Sequence, residues 1–310
     1  MNARTQTAYH RIAHDQPNYR WWRPLVALAT AVGLYFGMGV ALLVVILLGM
    51  VGWELLCQTS LAGSLTEFAS AVGIDFGADS DLEDMGNPLT LLLLCLSLFM
   101  FLPCCLVATR IAWRRPAGQL SSVAGRLRWR RVWVSLCIAA AVIVPVLLAY
   151  ALLAGRGPQI MFDAHAVVLL VVIIVLVPLQ AAAEEYLFRG FLAQIIGSWL
   201  RHPAWAILLP VPIFVLGHTY DWTGLVDVAV FAVVTGVLAY RTGGIEAGIA
   251  LHVVNNVTIF ALGAVGLADM NAESESLVGL GVSLIVTIGV GLLLLRVGGR
   301  AEKYSVAAGR

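Results

Sequence analysis

Long apolar runs without any charged residue alternate along this chain with short polar segments. Residues 26–51 and 166–183 are two such runs. A helix of about 20 apolar residues crosses the ~30 Å hydrocarbon core of a bilayer, so runs of this length predict membrane-spanning helices. Eight segments qualify, near residues 25–53, 88–109, 132–154, 165–200, 204–219, 223–240, 244–267 and 277–295. The pattern predicts an all-α, polytopic membrane protein with about eight transmembrane helices.

Composition narrows the possible partners. Apolar residues make up 60% of the sequence and charged residues only 12%. Soluble domains usually carry about 25% charged residues, so the composition also indicates an integral membrane protein. The formal net charge is +1, which gives no reason to expect a nucleic acid as a partner. The lipid bilayer is the partner that the composition predicts.

The polar connecting segments differ in the sign of their charge. Residues 110–131 contain seven arginines and no acid, whereas residues 57–87 contain six acids and no base. Because Lys and Arg accumulate in cytoplasmic loops, we expect both termini to be cytoplasmic and the protein to be multi-pass in the cell membrane. A binding site for lipid headgroups is a second interpretation of the arginines.

Ionisable residues inside the apolar segments are concentrated in the second half of the chain. Each is a candidate for function, because a charge in the bilayer core costs at least ~2.5 kcal/mol on insertion scales. Glu185 and Arg189 are four residues apart and share a helix face, where they can pair. Glu184 points about 100° away and is left free for general-base work. A buried pair that only locks helices together is the alternative interpretation.

Two further motifs place histidines in later apolar segments. His218 follows Phe214 by four residues, and Asn256 follows His252 by four residues. On a helix, His252 and Asn256 lie on one face and can donate two hydrogen bonds to a developing oxyanion. A lone histidine in an apolar segment, such as His218, is more often a hydrogen-bonded structural residue than a catalytic one.

The order of these motifs resembles a known family. E-E-x-x-x-R, F-x-x-x-H and H-x-x-x-N follow one another, each in its own apolar segment. This order resembles the CPBP family of CAAX proteases and bacteriocin-processing enzymes, and is similar to the type II CAAX prenyl endopeptidases. The resemblance rests on Glu184, Glu185, Arg189, Phe214, His218, His252 and Asn256.

The resemblance implies an intramembrane endopeptidase of mostly eight helices. It implies that Glu184 and His218 activate water, and that the neighbouring Glu–Arg pair supports the site. His252 and Asn256 would stabilise the oxyanion. The substrate would be a membrane-associated or lipidated peptide.

One membrane domain with two short tails accounts for this organisation. We expect a cytoplasmic tail at residues 1–24, a membrane domain at 25–295 and a second cytoplasmic tail at 296–310. The peptidase-like core is expected at about 165–265.

The residues leave the question of a metal cofactor open. No H-E-x-x-H motif occurs. Glu184, His218 and His252 offer one carboxylate and two imidazoles, which is a known set of catalytic zinc ligands. The family resemblance favours a glutamate mechanism without a metal, and zinc is the alternative.

Two other functions compete with the peptidase. One is a non-enzymatic immunity or scaffold protein on the same fold, and the other is a proton-coupled transporter. A scaffold has no need of both histidines and the asparagine. A transporter would favour broken helices in matched halves, and the sequence has no such symmetry.

Overall fold

Helices alone form the described part of the chain. The structure, a computed structural model, describes residues 8–14, 16–57, 63–64, 67, 84–153, 160–274 and 276–307, with only the backbone from residue 299 onward. No strand occurs among these residues. The prediction of an all-α, polytopic membrane protein is confirmed. Most of the acidic segment 57–87 lies outside the described residues.

Eleven α-helices and one π-helical segment follow one another in the described residues. In chain order they are α1 (Arg23–Cys57), α2 (Pro88–Phe99), α3 (Phe101–Ile111), α4 (Trp129–Leu153), α5 (Ala164–Glu185), the π segment (Tyr186–Leu192), α6 (Ala193–Trp199), α7 (Pro203–Leu208), α8 (Pro210–Leu216), α9 (Trp222–Thr242), α10 (Glu246–Ala264) and α11 (Leu277–Ala307). Short 3₁₀ turns occur at Tyr9–Arg11 and Ala117–Leu120.

Short polar side chains define where three of these helices begin. Asn87, Asp163 and Asp221 each accept a backbone N–H from the first turn of the helix that follows. Such caps satisfy donors that have no partner within the helix, and each is worth about 1 kcal/mol. The sequence thus fixes the starts of α2, α5 and α9 locally.

In the described ranges, seven stretches of helix are long and apolar enough to cross a membrane. They are Arg23–Leu56, Pro88–Ile111, Trp129–Leu153, Ala164–Trp199, Trp222–Thr242, Glu246–Ala264 and Leu277–Gly298. The remaining predicted segment, 204–219, forms the two short helices α7 and α8 instead. Pro210 interrupts it, because proline lacks the N–H that a continuous helix needs at that position.

The two ends of the helical bundle carry different loops. We call the end with loop 112–128 the arginine side and the end with loop 265–274 the acidic side. On the arginine side, Arg128 donates a 3.2 Å hydrogen bond to the carbonyl oxygen of Thr242, the last residue of α9. A bridge between Ser122 and Gly244 joins the same loop to the turn between α9 and α10.

A buried ion pair holds the beginning of α10 on the arginine side. Both carboxylate oxygens of Glu246 accept guanidinium N–H groups of Arg128 at 2.7 Å. The Glu246 side chain is 1% exposed and the Arg128 side chain 16%. This bidentate pair fixes where α10 starts, and with it the positions of the side chains one and two turns further along.

The N-terminal segment packs against the bundle on the arginine side. Tyr9 and His10 are buried, and the Tyr9 hydroxyl donates to the carbonyl oxygen of Leu120. Gly197 lets this segment approach α6, because a Cβ there would overlap the backbone of His10. Part of the segment expected to be a tail is therefore a packed component of the fold.

Helices α7 and α8 connect the two sides. Before α7, the carbonyl oxygen of Arg201 accepts a 3.0 Å hydrogen bond from His10 on the arginine side. After α8, the backbone N–H of Asp221 donates to the carbonyl oxygen of Glu273 on the acidic side, 2.8 Å away. The short pair thus leads from one side to the other, although it is shorter than the remaining spans.

Both described ends of the chain lie on the arginine side. Residues 9–11 are held there, and a Cβ on Gly298 in α11 would lie 3.2 Å from the Thr242 side chain. An even number of passages between the sides accounts for this arrangement. That the arginine side is cytoplasmic stays a prediction.

Candidate active site

Glu184 and Glu185 end α5, and the backbone widens into the π segment directly after them. Pro178 does not interrupt the helix, which is continuous from Ala164 to Trp199. Single π-helical turns inside longer helices occur frequently at functional sites. The widened turn carries Arg189, so all three charged side chains lie at one irregular point of an otherwise regular helix.

Glu185 and Arg189 form an ion pair inside the protein. Arg189 Nη1 lies 3.0 Å from Glu185 Oε1, and the two side chains are 4% and 0% exposed. Neither terminal nitrogen of Arg189 makes a well-directed hydrogen bond within the described residues, and nor does Glu185 Oε2. The guanidinium lies 4.4 Å above the ring of Phe214, a cation–π contact that partly replaces water. The pair is held by charge and packing more than by hydrogen bonds.

His252 in α10 contacts both carboxylates. Its Nδ1 lies 3.1 Å from Glu185 Oε1, and its Nε2 lies 3.5 Å from Glu184 Oε2. Both glutamates and the imidazole are buried. The sequence predicted that Glu184 has no partner, and the structure differs, because α10 packs against the end of α5 and one imidazole reaches both acids.

Gly248 makes this close approach possible. It precedes His252 by one helical turn, and a Cβ there would lie 2.8 Å from Glu185 Oε2. Any larger residue would displace the buried carboxylate. No motif marks Gly248 in the sequence. The only sign of its role is that it lies on the same helix face as His252 and Asn256.

His218 follows the last turn of α8 and is half-buried. Its Nδ1 lies 2.8 Å from the carbonyl oxygen of Phe214. Because a carbonyl oxygen only accepts hydrogen bonds, Nδ1 carries the proton, and Nε2 of the neutral ring keeps its lone pair. The local turn thus sets His218 in the tautomer that can accept a proton at Nε2.

Asn256 lies one turn beyond His252 on α10. Asn255 Nδ2 donates a 3.3 Å hydrogen bond to Asn256 Oδ1, which leaves the Asn256 amide nitrogen as a donor for another group. Asn255 thus orients the side chain of Asn256.

Several of these residues line one open cavity. Its volume, including the open mouth, is about 950 Å³. His218, His252 and Asn256 line it, together with Phe214 and other residues of α9 and α10. Loop residues of the acidic side line it as well. Glu184 is not among the lining residues, but its Oε2 lies 3.5 Å from Nε2 of His252, which is. Three of the four candidate catalytic residues therefore line the cavity, and the fourth contacts one of them.

The candidate zinc ligands do not form a metal site. Among the residues that the structure describes, no three His, Cys, Asp or Glu side chains are arranged to hold a metal ion. The set Glu184, His218 and His252 therefore does not fit a three-ligand metal site in this arrangement.

Asp227 in α9 is a site residue that the sequence analysis missed. It lines the same cavity, within a helix long enough to span a membrane. Its signal was an acid among apolar residues, the same signal that identified the glutamates of the fourth segment.

Comparison with known proteins agrees with the motifs. Residues 163–258 match the family model described as type II CAAX prenyl endopeptidase Rce1-like. The resemblance inferred from the motifs is confirmed. The chain is also 26% identical over 251 residues to the uncharacterized protein YyaK of Bacillus subtilis (strain 168), covering 77% of each chain. No solved structure matches the chain significantly.

The Rce1-like match covers the residues of the candidate site. It includes α5, the π segment and helices α6 to α9, and it extends into α10 beyond Asn256. Rce1-like proteins are a family of CAAX-type intramembrane proteases, so the match supports peptidase activity in general. Together with seven long apolar helices, it identifies the chain as an integral membrane protein.

Proposed function

We propose that this protein is an intramembrane endopeptidase that hydrolyses a peptide bond in a membrane-associated substrate. One observation carries the proposal: His252 contacts both Glu184 and Glu185 and lines the same cavity as His218 and Asn256. Carboxylate, imidazole and amide groups at one cavity supply the base, the proton carrier and the oxyanion donors that amide hydrolysis requires.

The first step in this proposal is the activation of a water molecule. Glu184 and His218 Nε2 are the two groups that can accept its proton, and the hydroxide then attacks the carbonyl carbon of the scissile bond. Glu184 is not a lining residue of the cavity, but the contacts of catalytic groups in an unliganded site commonly tighten only when substrate binds. The same proton returns to the leaving amine as the C–N bond breaks.

The second step is stabilisation of the oxyanion. Asn256 Nδ2 is left as a donor by its bond to Asn255. His252 Nδ1 is already occupied by Glu185 Oε1, so Nε2 donates to the oxyanion only in the ring form that carries a proton on both nitrogens. Nε2 lies 3.5 Å from Glu184, too far for a strong hydrogen bond that would compete with the oxyanion. Glu185 holds His252 through its Nδ1, and Arg189 holds Glu185. Neither residue contacts the substrate in this proposal.

Hydrolysis of anchored peptides by the purified protein tests the proposal. The protein is placed in nanodiscs with a library of membrane-anchored peptides, and products are identified by mass spectrometry. We expect cleavage that falls by at least about 100-fold in Glu184→Gln and in His218→Ala. Glu54→Gln, at the exposed end of α1, is the matched control and should retain full activity.

Two outcomes would overturn this proposal. Equal cleavage by the wild type and Glu184→Gln would remove the glutamate from the reaction. Binding of peptides without hydrolysis by any form would favour the non-enzymatic scaffold instead.

A further inference from the structure

Asp227 lines the candidate catalytic cavity but has no part in the proposed hydrolysis. It lies in the second turn of α9, inside the apolar stretch Trp222–Thr242. An ionisable side chain inside a spanning helix is a candidate for function, because the bilayer disfavours a charge without a partner. An ionised Asp227 therefore requires a partner.

Within the part of the chain that the structure describes, the partner of Asp227 is neutral. Ser283 Oγ in α11 donates a 2.8 Å hydrogen bond to Asp227 Oδ1. Among the described residues, no Lys or Arg forms an ion pair with Asp227. A serine hydroxyl orients a carboxylate but does not neutralise its charge. Asp227 is therefore positioned and still lacks a countercharge.

The rest of the cavity adds no strong cation. Its lining by described residues contains neither Lys nor Arg, and the basic groups in it are the imidazoles of His218 and His252. Asp269 and Glu273 line it from the acidic side. The charged side chains that a peptide meets on its way from this side to the histidines are therefore acidic.

We propose that Asp227 binds a lysine or arginine side chain of the peptide substrate next to the scissile bond. The inference rests on the proposed function, and it assigns the substrate class of the same cavity. A cationic side chain supplies the countercharge that Asp227 lacks, whereas a neutral side chain leaves the carboxylate desolvated and unpaired. Asp227 repels an acidic side chain, so it disfavours acidic substrates as well as favouring basic ones.

A purely structural role is the rival explanation, in which Asp227 only ties α9 to α11 through Ser283. Asp227→Asn separates the two roles. Asparagine keeps the carbonyl oxygen that accepts the Ser283 hydroxyl, and it removes the charge. Ser283→Ala is the matched control, because it removes the hydrogen bond and keeps the charge.

Three anchored peptides that differ at one position, with lysine, norleucine or glutamate, test the inference in nanodiscs. We expect the wild type to cleave the lysine peptide with a kcat/KM at least about tenfold above that of the norleucine peptide, mainly because its KM is lower. Asp227→Asn should abolish the preference, so that the lysine and norleucine peptides are cleaved with similar kcat/KM. Ser283→Ala should affect lysine and norleucine peptides equally. Equal lowering of both peptides by Asp227→Asn would overturn the inference.

A binding measurement keeps this inference separate from the proposed function. Fluorescently labelled lysine and norleucine peptides are titrated onto Glu184→Gln, with and without Asp227→Asn. Lysine-selective binding that depends on Asp227, without hydrolysis by the wild type, would retain the recognition site and reject the peptidase. Hydrolysis that depends on Glu184 but shows no lysine preference would reject the recognition site and retain the peptidase.

Discussion

Helices α1 and α10 are both apolar, yet they have opposite surroundings. None of the residues in the most apolar stretch of α1 is buried by protein, whereas half of those in α10 are. A Cβ added to Gly33 or Gly37 in α1 would meet nothing within 4 Å, but one added to Gly248 in α10 would meet Glu185. Hydropathy suffices to place a helix in a membrane, while close packing and polar contacts decide which helix it adjoins.

The contrast extends to the charges that each helix carries or contacts. α10 contributes Glu246 to an ion pair and His252 to a contact with two carboxylates. The packing partners of α1 are chiefly apolar residues such as Cys105 and Ala108 of α3. Substitutions in the two regions should therefore differ strongly in their effects on stability.

The largest effect on stability is expected from Glu185→Gln. It leaves Arg189 as a buried charge without its counterion, at a cost of ~3–5 kcal/mol. Glu184→Gln breaks no ion pair with Arg189 and should leave the amount of folded protein near the wild-type level while activity is lost. Membrane abundance, thermal unfolding and the hydrolysis rate are measured for both variants. An unstable Glu184→Gln beside a stable Glu185→Gln would reverse these assignments.

A smaller effect is expected at the start of α10. Arg128→Gln leaves Glu246 buried without its bidentate partner, and we expect a loss of about 1.5–3 kcal/mol, the range for hydrogen bonds to charged groups. The double variant with Glu246→Gln should be less destabilised than the sum of the two single variants, because their effects are coupled. If the losses of stability of the two single variants simply add in the double variant, Arg128 and Glu246 do not stabilise the fold as a pair.

Gly248→Ala should destabilise the protein by about 1–3 kcal/mol, the usual cost of adding a methyl group to a packed interior. The new Cβ would lie 2.8 Å from Glu185 Oε2, so the carboxylate must move and His252 with it. Activity should fall together with the unfolding temperature. Gly281→Ala is the matched control, because a Cβ there would meet nothing within 4 Å. Equal behaviour of the two variants would contradict the assigned role of Gly248.

The sequence predicted the seven long helices because hydropathy is a local property. It did not predict the π segment after Glu185, since this widening depends on how the backbone adapts to its neighbours. The motifs identified the glutamates and histidines individually. That His252 lies between both carboxylates depends on the packing of α10 against α5, which no single segment encodes.

The missed residues differ in how far the sequence could have found them. Asp227 carried a visible signal, an acid within a spanning segment. Gly248 carried almost none, because a glycine that permits close approach looks like any of the chain's 30 glycines. Only the distance to Glu185 distinguishes it.

The smallest effect is expected in α1. Gly33 and Gly37 form a G-x-x-x-G motif, and the space around both is open. Replacing either by alanine should change stability by less than about 1 kcal/mol, and toward higher stability if anything, because alanine has the greater helix propensity. The hydrolysis rate should stay at the wild-type value, since α1 contributes no side chain to the catalytic cavity. Thermal unfolding and chemical cross-linking in nanodiscs would measure both stability and association. A loss of stability together with loss of a cross-linked dimer would show that this face adjoins a second copy of the chain, and the contrast between α1 and α10 would then hold only for the monomer.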